Sequence, residues 1–300
     1  MKKYKICKIL LVILAIFLCV AFYELIGICV AYKKQPEVSN TTKKETKNGS
    51  WNECSENTER AVIIEKNPEA LLQRVRLIKN AKKEIILSTF AFKSDESGKL
   101  ILGALHDAAD RGVHIRLLVD GMESWIDMEG NPYFYGLSSH ENVEIKLYNK
   151  ANPLKPWKMM GRMHDKYLIA DGKTYILGGR NTYNYFLGDF PGHKNYDRDV
   201  LVVCDEPEKE NSVNQLLEYF ETIWEQEDSG YFHDNKKLAN RKSVKNAVLE
   251  LQNGYQKYFE ENKERICDTD YTDETFETEK IALVSNPIHT GSKEPVVWYQ

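Results

Sequence analysis

Cysteine is scarce in this 300-residue chain, and its six cysteines form no recognisable framework. Cys7, Cys19 and Cys29 lie in or beside one apolar segment near the N-terminus. The other three are scattered over the rest of the chain, at positions 54, 204 and 267. This spacing predicts neither a disulfide scaffold nor a cysteine metal site.

Sequence motifs for bound metals and nucleotides are also missing. The chain has no Cys-x-x-Cys pair, no His-Glu-x-x-His, no P-loop and no dinucleotide-binding glycine pattern. We therefore predict that its chemistry uses amino-acid side chains alone, with no metal and no cofactor.

Positive charge is limited. The whole chain holds 41 Lys and Arg against 45 Asp and Glu. Residues 1–34 contain six of the lysines and one of the glutamates. Residues 35–300 therefore hold 35 basic and 44 acidic residues, a net charge of −9. Nucleases that bind without sequence preference hold the phosphate backbone on basic surfaces, so this balance argues against a nucleic-acid partner. One local group of basic residues suits a single anionic head group better than a polymer. Its members are Lys155, Lys158, Arg162, Lys166, Arg180, Lys194 and Arg198.

One long apolar run covers residues 9–32, with Glu24 as its single charge. Its 24 residues exceed the roughly 20 that a membrane span needs, so we predict a transmembrane anchor after a basic tail at 1–8. A cleaved signal peptide is the alternative. Lysines lie on both sides of the run, which leaves the membrane side of the following domain open. Residues 33–59 are polar and lack periodicity, as expected of a tether.

Strand and helix patterns alternate beyond residue 60. The predicted strands are residues 84–92, 113–121 and 143–148. The predicted helices are residues 67–80, which open with Asn-Pro-Glu, and 100–111, which end before a glycine. This order predicts a layered α/β domain over residues 60–260.

The most informative segment is residues 162–171, Arg-Met-His-Asp-Lys-Tyr-Leu-Ile-Ala-Asp, followed by Gly-Gly-Arg-Asn at 178–181. If residues 164–170 form a strand, His164 and Lys166 project from one face and Asp165 from the other. An Asp-Gly pair at 171–172 predicts a turn, and residues 173–177 return as the second strand of a hairpin. The return strand is expected to bring Asn181 beside His164.

This combination suits phosphate transfer. Cleavage of a phosphodiester without a metal needs a nucleophile, an acid for the leaving alcohol, and fixed polar groups around the phosphate oxygens. An imidazole can serve as nucleophile or acid, while an ammonium and an amide can hold the oxygens.

His-x-Lys, four residues, Asp, and then Gly-Gly-x-Asn resembles the HKD motif of the phospholipase D superfamily. The resemblance implies that His164 is the nucleophile, through a phosphohistidine, or the acid, and that Lys166 and Asn181 stabilise the transition state. Asp171 belongs to the motif, but strand parity places it away from His164, so we predict a structural role. The predicted substrate-binding residues are Gly178, Gly179 and Arg180. The resemblance also implies a layered α/β/α sandwich with a mixed sheet, preceded here by the N-terminal membrane helix.

A carboxylate is expected to orient the imidazole through its other ring nitrogen. Asp197 and Asp199 are the candidates, and we favour Asp197 because it precedes the apolar strand where similar sequences place their acid. The alternative is that either aspartate is a strand-edge charge paired with Arg198.

The motif occurs once, although two histidines are needed. Residues 60–204 resemble the first catalytic half of bacterial cardiolipin synthase-like proteins, including Ala-Ala-Asp-Arg-Gly-Val at 108–113. One-motif members of the superfamily pair two copies in a symmetric dimer, and two-motif members carry both halves in one chain. We therefore expect a homodimer or a second half. Residues 261–300 are interpreted as an acidic linker and the start of that half, with a short strand that closes the sheet as the alternative.

Three functions remain open. The first is a membrane-anchored, cardiolipin synthase-like phosphatidyltransferase that transfers a phosphatidyl group from a phosphatidylglycerol-like lipid to another lipid or to water. The second is a nuclease of the same fold. The third is a catalytically incomplete membrane protein that binds anionic lipid or a partner half. Trp157, Met159 and Met160 form either a lipid-facing lip or ordinary core packing.

Overall fold

The computed structural model describes residues 2–33, 59–158, 161–204, 206, 211–233, 235–279 and 281–285. Helix α1, Lys2–Lys33, precedes the folded domain. Its stretch Lys5–Val30 has a mean hydropathy of 2.9 and is long and apolar enough to cross a membrane. Nearly all of the predicted tether, together with Met159 and Met160, lies outside the described residues.

The described part of the domain contains one mixed sheet of nine strands in the order β8-β4-β3-β2-β5-β6-β7-β1-β9. The strands are β1 Glu59–Ile64, β2 Glu84–Thr89, β3 His114–Asp120, β4 Val143–Tyr148, β5 Lys166–Ala170, β6 Thr174–Gly178, β7 Asp199–Cys204, β8 Ser229–Tyr231 and β9 Phe276–Thr278. Strands β2, β3 and β4 are parallel, and every other pairing is antiparallel.

Helices cover both faces of this sheet. They are α2 Asn67–Asn80, α3 Glu96–Asp110, α4 Gly121–Asp127, α5 Pro132–Ser138, α6 Ser212–Trp224, α7 Lys242–Glu261 and α8 Lys263–Cys267, with short 3₁₀ turns at Pro156–Lys158 and Lys236–Asn240. Along β3, Leu117 joins the core beneath α2, α3, α5 and α7, whereas its neighbour Leu118 joins the core beneath α6. Strands buried on both faces have continuous apolar sequences, as here. The predicted α/β/α sandwich is confirmed.

The predicted bounds of one helix and one strand are corrected by hydrogen bonds outside them. Helix α3 begins at Glu96 rather than at residue 100, because the side chain of Asp95 accepts a hydrogen bond from Gly98 N at 3.1 Å and caps the first turn. Strand β2 ends at Thr89, because residues 91–93 pair instead with the segment around Thr182.

The acid-rich segment after residue 261 is not simply a solvated linker. Strand β9 pairs with β1 and extends the sheet. Arg76, buried on α2, binds Glu274 at 2.8 Å and donates to the backbone oxygens of Asp268 and Asp270, both at 2.8 Å. The folded domain therefore reaches at least residue 278, beyond the predicted limit of 260. The strand predicted from residue 281 is not formed over 281–285, and residues 286–300 lie outside the described part.

Candidate active site

His164, Lys166 and the Gly-Gly-x-Asn segment of the HKD pattern lie at one edge of the sheet, whereas Asp171 lies at the other. The carboxyl end of β2 faces the start of β5, where Thr89 pairs with Lys166, and the end of β6 faces the start of β7, where Gly178 pairs with Asp199. His164 lies two residues before β5, so the regular strand starts later than predicted. The carboxyl end of β3 lies at the same edge, because β3 runs parallel to β2.

His164 presents an exposed side chain at this edge. Its ring packs edge-on against Phe90, with the ring centroids 4.8 Å apart. Partial burial, and then the charge of Lys166, lowers the pKa of His164 below its ordinary value. The shift favours the neutral imidazole, which is the form that a nitrogen nucleophile needs.

Lys166 is a buried cation directly beside His164. Its side chain is 5% exposed, and Nζ donates to the backbone oxygen of His164 at 2.7 Å. The same Nζ lies 5.5 Å from the ring centroid of Phe90. Burial lowers the pKa of Lys166 to about 8, although the charges of Asp165 and Asp197 oppose that shift. The ammonium is therefore charged at neutral pH but can lose its proton in mild alkali.

Asp165 points to the other side of the sheet, as the predicted alternation requires. Its carboxylate accepts a hydrogen bond from the hydroxyl of Tyr219, on α6, at 2.9 Å. Burial raises the pKa of Asp165. The contact ties the motif to the helical layer opposite His164.

Asn181 is buried and held against the residue that follows Phe90. Its Oδ1 accepts a hydrogen bond from Ala91 N at 3.1 Å. Thr182, next in the chain, donates from its backbone N–H to Ala91 O at 3.1 Å. Asn181 and His164 therefore contact the neighbouring residues Ala91 and Phe90, just beyond the end of β2. The direct approach of the two side chains stays a prediction.

The glycine pair has a packing role. A Cβ atom at Gly179 would collide with the carboxyl group of Asp197, and one at Gly178 would collide with Asp199 and with the backbone oxygen of Arg198. The two glycines let the start of β7 approach the end of β6. Their contact with substrate stays a prediction.

Arg180 does not fit its predicted role in substrate binding. Its side chain is buried, and its guanidinium donates to Asn67 Oδ1 at 3.1 Å, to Ile64 O at 3.1 Å and to Glu65 O at 2.7 Å. It also lies 3.3 Å from the carboxylate of Asp199. These internal partners occupy the group, so Arg180 supports the site from inside the fold.

The two candidate aspartates have different environments. Asp199 is fully buried and pairs with Arg74 at 2.9 Å as well as with Arg180. Asp197 is exposed, contacts the backbone at Gly179, and lies close enough to Lys166 to raise the pKa of that lysine. Arg198 pairs with Glu65 at 3.0 Å rather than with either aspartate. Of the two, Asp197 is the exposed carboxylate whose charge reaches Lys166, and Asp199 belongs to the buried framework. The orienting role of Asp197 stays a prediction.

Asp171 lies at the opposite edge of the sheet from His164. Its carboxylate accepts hydrogen bonds from the backbone N–H groups of Lys82, Lys83 and Glu84 at 2.8, 2.7 and 3.0 Å. Its φ of 53° is in the left-handed region that an Asp-Gly turn tolerates. Asp171 therefore holds the β5–β6 turn against the start of β2.

Asp120, at the end of β3, is a site residue that the sequence reasoning missed. Its buried carboxylate accepts hydrogen bonds from Met163 N at 3.0 Å, from Arg162 Nη1 at 2.9 Å and from Met122 N at 2.9 Å. Burial raises its pKa, and the charge of Arg162 opposes the shift. Asp120 fixes the two residues before His164. The available signal was an aspartate that closes an apolar strand just before a glycine.

The predicted basic cluster is largely neutralised. Lys158 pairs with Asp228 at 2.6 Å, Arg162 with Asp120, Arg180 with Asp199 and Arg198 with Glu65. The structure therefore gives no broad basic surface from these residues, and Lys166 is the cation next to the histidine. Among the described residues, no group of three or more His, Cys, Asp and Glu side chains is arranged to hold a metal ion.

With this geometry in view, comparison with known families is decisive. A family model described as the cardiolipin synthase, phospholipase D-like domain matches residues 74–224, half of the chain. The chain belongs to the phospholipase D superfamily. The matched segment includes strands β2 to β7, and with them all residues of the HKD pattern.

Curated relatives match this phospholipase D-like domain over part of their length. An uncharacterized protein of Helicobacter pylori (strain J99) is 31% identical over 212 residues, which cover 66% of this chain and 39% of that protein. Cardiolipin synthase C of Escherichia coli (strain K12) is 28% identical over 171 residues, 52% of this chain and 34% of that protein. Cardiolipin synthase 1 of Staphylococcus aureus (strain MRSA252) is 34% identical over 117 residues, 39% and 23% respectively. The chain thus spans no more than about two fifths of the relatives' length.

Solved structures resemble the phospholipase D-like domain more distantly. NucT from Helicobacter pylori gives a TM-score of 0.45 at 19% identity, with 58% of this chain and 99% of that chain covered. The phosphatidylserine synthase of Haemophilus influenzae gives 0.48 at 17% identity, with 74% and 48% covered. At these scores the likenesses decide nothing about substrate.

Proposed function

We propose that this protein is a membrane-anchored phosphatidyltransferase or phospholipase D that acts on the phosphodiester bond of a phosphatidylglycerol-like lipid. The observation that carries the proposal is the hydrogen bond, at one sheet edge, from Nζ of buried Lys166 to the backbone oxygen of His164, whose side chain is exposed. A neutral imidazole beside a fixed ammonium suits attack on an anionic phosphodiester.

In the proposed reaction, a ring nitrogen of His164 forms a bond to phosphorus as the bond from phosphorus to the leaving alcohol oxygen breaks. A second imidazole gives its proton to that oxygen. A lipid hydroxyl or water then attacks the phosphohistidine and loses its proton to the second imidazole, while the P–N bond breaks and restores His164. Lys166 and Asn181 hold the non-bridging oxygens in both steps.

The second imidazole is expected from another copy of the motif. This chain carries one HKD pattern, at His164. A two-fold axis can bring two identical sites together, since the same patch meets itself across the interface. The proposed active form is therefore a homodimer, or a complex with a second half that carries its own motif.

Asp197 is the proposed orienting carboxylate. It is exposed at the site and its charge reaches Lys166, whereas the carboxylate of Asp199 is bound by two buried arginines. A carboxylate that accepts the N–H of an imidazole fixes the tautomer and stabilises the cation that forms as the ring reacts.

Helix α1 is the proposed anchor, and it lies against the catalytic domain on the same side as the site. The hydroxyl of Tyr23 donates to the backbone oxygen of Leu154 at 2.9 Å. Residue 154 belongs to the loop after β4 that leads to His164. The end of the anchor would therefore hold the site close to the bilayer surface, where the phosphates of phospholipids lie.

The test is turnover by the full chain in lipid nanodiscs that contain phosphatidylglycerol. We expect cardiolipin from transfer or phosphatidic acid from hydrolysis, and a loss of at least 1,000-fold in His164→Ala. His114→Ala is the matched control, because His114 starts β3 at the opposite edge, and it should retain activity. No lipid product from a folded wild-type protein would favour the incomplete half-enzyme. Cleavage of single-stranded DNA without lipid turnover would favour the nuclease.

A further inference from the structure

A pocket of about 550 Å³ lies between the last turns of α1 and the catalytic domain. Its wall is mostly apolar and comes from three parts of the chain: α1, the start of α4, and the end of β4 with the loop that follows. The apolar lining residues are Ile28, Met122, Trp125, Leu147, Ala151 and Pro153. The volume falls within the range of roughly 300 to 1,000 Å³ of small-molecule sites.

Three exposed apolar residues belong to the pocket wall or follow it directly in the chain, and are called the rim here: Trp125 lines the pocket, Ile126 follows Trp125, and Leu154 follows the lining residue Pro153. The exposed fractions of Trp125, Ile126 and Leu154 are 67%, 67% and 77%. Exposed apolar side chains that cluster, rather than lie scattered, mark a surface for a membrane or another apolar partner.

The anchor determines where the pocket lies along the membrane normal. Lys5–Val30 has 26 residues, about 39 Å of helix at 1.5 Å per residue, whereas the hydrocarbon core of a bilayer is about 30 Å thick. With Lys5 at one boundary of the hydrocarbon core, the excess places the last two turns near the head groups of the other leaflet. Those turns line the pocket and touch the domain, where Gly27 packs so closely on Pro156 that a Cβ atom would collide with the proline ring.

Asp120 joins the pocket to His164. Its carboxylate binds the backbone N–H of Met122, in the pocket wall, and that of Met163, the residue before His164. Since consecutive Cα atoms are 3.8 Å apart, this bridge keeps the wall and the imidazole within a distance on the order of 10 Å. That is the reach between the phosphate of a lipid and the upper part of its acyl chains.

The charges of the pocket orient such a lipid. The charged residues of the lining are Glu24, Glu129 and Lys150, so the lining is net acidic. Oε2 of Glu24 is buried without a hydrogen-bond partner among the described residues, and Nζ of Lys150 donates to the backbone oxygen of Tyr231 at 2.7 Å. Carboxylates repel a phosphate, whereas Lys166 attracts one. The phosphate is therefore favoured at the HKD edge and the apolar chain in the pocket.

We propose that this pocket holds an acyl chain of the phospholipid substrate, which enters from the bilayer between α1 and the rim residues Trp125, Ile126 and Leu154. The proposal rests on the proposed function for the identity of its ligand. It adds a second recognition site and makes α1 part of the substrate-binding surface as well as an anchor.

The first test is photolabelling of the full chain in nanodiscs with phosphatidylglycerol that carries a diazirine in one acyl chain. We expect labelled peptides from residues 122–125 and 151–154. Ala151→Trp, at an exposed residue of the lining, should reduce that labelling at least fivefold. Ala239→Trp is the matched control, because Ala239 is an exposed alanine beside a different surface pocket. Labelling confined to the middle of α1, or unchanged in Ala151→Trp, would overturn the proposal.

A second readout separates this proposal from the proposed function. Ala151→Trp should lower turnover of long-chain phosphatidylglycerol about tenfold and turnover of soluble dihexanoyl phosphatidylglycerol less than twofold, whereas Ala239→Trp should leave both unchanged. Labelling at the pocket without turnover of either lipid would retain the pocket and reject the enzyme. Turnover of both lipids without labelling at the pocket would retain the enzyme and reject the pocket. Trp125→Gln replaces a side chain that is 67% exposed, so the protein should still fold. This variant should also lose more turnover of long-chain than of dihexanoyl phosphatidylglycerol.

Discussion

The ammonium of Lys166 lies 2.7 Å from the backbone oxygen of His164, and its charge adds to burial, the larger cause, in lowering the pKa of the His164 ring. One cation thus holds the backbone of the candidate nucleophile and favours its neutral imidazole. The two residues are separated by one position in the chain, and Asp165 between them binds Tyr219 on the other side. The pair is therefore held from both faces of the sheet.

The pKa of Lys166 predicts an alkaline limit to activity. Below about pH 8 the ammonium is charged and can hold a phosphate oxygen, and above it the neutral amine cannot. We expect kcat/KM for phosphatidylglycerol to fall about tenfold per pH unit above 8. Lys166→Arg should lower activity but move this alkaline decline of kcat/KM beyond pH 10, because arginine stays charged. If the decline stayed near pH 8 in the arginine variant, it would belong to the titration of another group.

The effect of Lys166 on stability should have the opposite sign. Its folded-state pKa lies below the value of about 10.4 expected in the unfolded chain, so the unfolded state binds more protons between about pH 8 and 10.4. The contribution of Lys166 to the free energy of unfolding therefore rises over that window. It can be measured as the difference between wild type and Lys166→Met in denaturant unfolding at several pH values.

Asp197→Asn should move the alkaline limit downward. The charge of Asp197 raises the pKa of Lys166 against burial, so its removal lets burial lower that pKa further. We expect the alkaline decline of kcat/KM to begin below pH 8 and kcat to fall at least tenfold. Stability should change little, because Asp197 is exposed. Asp199→Asn is the contrast: it breaks a buried pair with Arg74, so the melting temperature should fall. The reverse pattern would exchange the roles of the two aspartates.

Asp120→Asn should damage both stability and activity. The amide nitrogen would face the N–H of Met163 or Met122, and Arg162 would lose its buried counter-charge. Removal of one partner of a buried ion pair costs about 3 kcal/mol, or roughly 10 °C in melting temperature for a domain of this size. Differential scanning fluorimetry in detergent measures the shift, and turnover at 10 °C measures the loss due to displacement of His164. Full activity at the low temperature would mean that Asp120 acts on stability alone.

Arg180→Gln separates a framework role from substrate binding. The guanidinium donates to three internal oxygens and pairs with Asp199, so the variant should melt about 10 °C lower. At a temperature where it stays folded, its KM for phosphatidylglycerol should remain within twofold of wild type. A tenfold rise in KM with an unchanged melting temperature would restore the role predicted from the motif.

Local patterns were enough to predict the parts of the site that depend on neighbouring residues. The alternation of His164, Asp165 and Lys166 and the Asp-Gly turn follow from strand parity and turn chemistry. The remaining features of the site depend on contacts between residues that are far apart in the sequence. Arg180 was predicted to face substrate, but its partners Ile64, Glu65 and Asn67 lie more than 110 residues away.

The same limit explains the misplaced C-terminal boundary. Acid-rich composition predicts a solvated segment, because isolated carboxylates favour water. Here a single buried arginine, Arg76 of α2, supplies donors for Glu274 and for two backbone oxygens nearly 200 residues later. Composition cannot show such a partner, since it carries no information on which distant donor meets the segment.

A dilution experiment tests whether two copies of the motif form one active site. If both histidines of a symmetric dimer are required, only dimers with two wild-type chains are active. Co-expression of wild type with His164→Ala should then give activity that follows the square of the wild-type fraction, about one quarter at equal amounts. Independent sites would give a linear dependence, with half of the activity at that point. The fraction of each chain can be measured by mass spectrometry. Co-expression of wild type with His114→Ala is the control, and its activity per total protein should equal that of wild type alone.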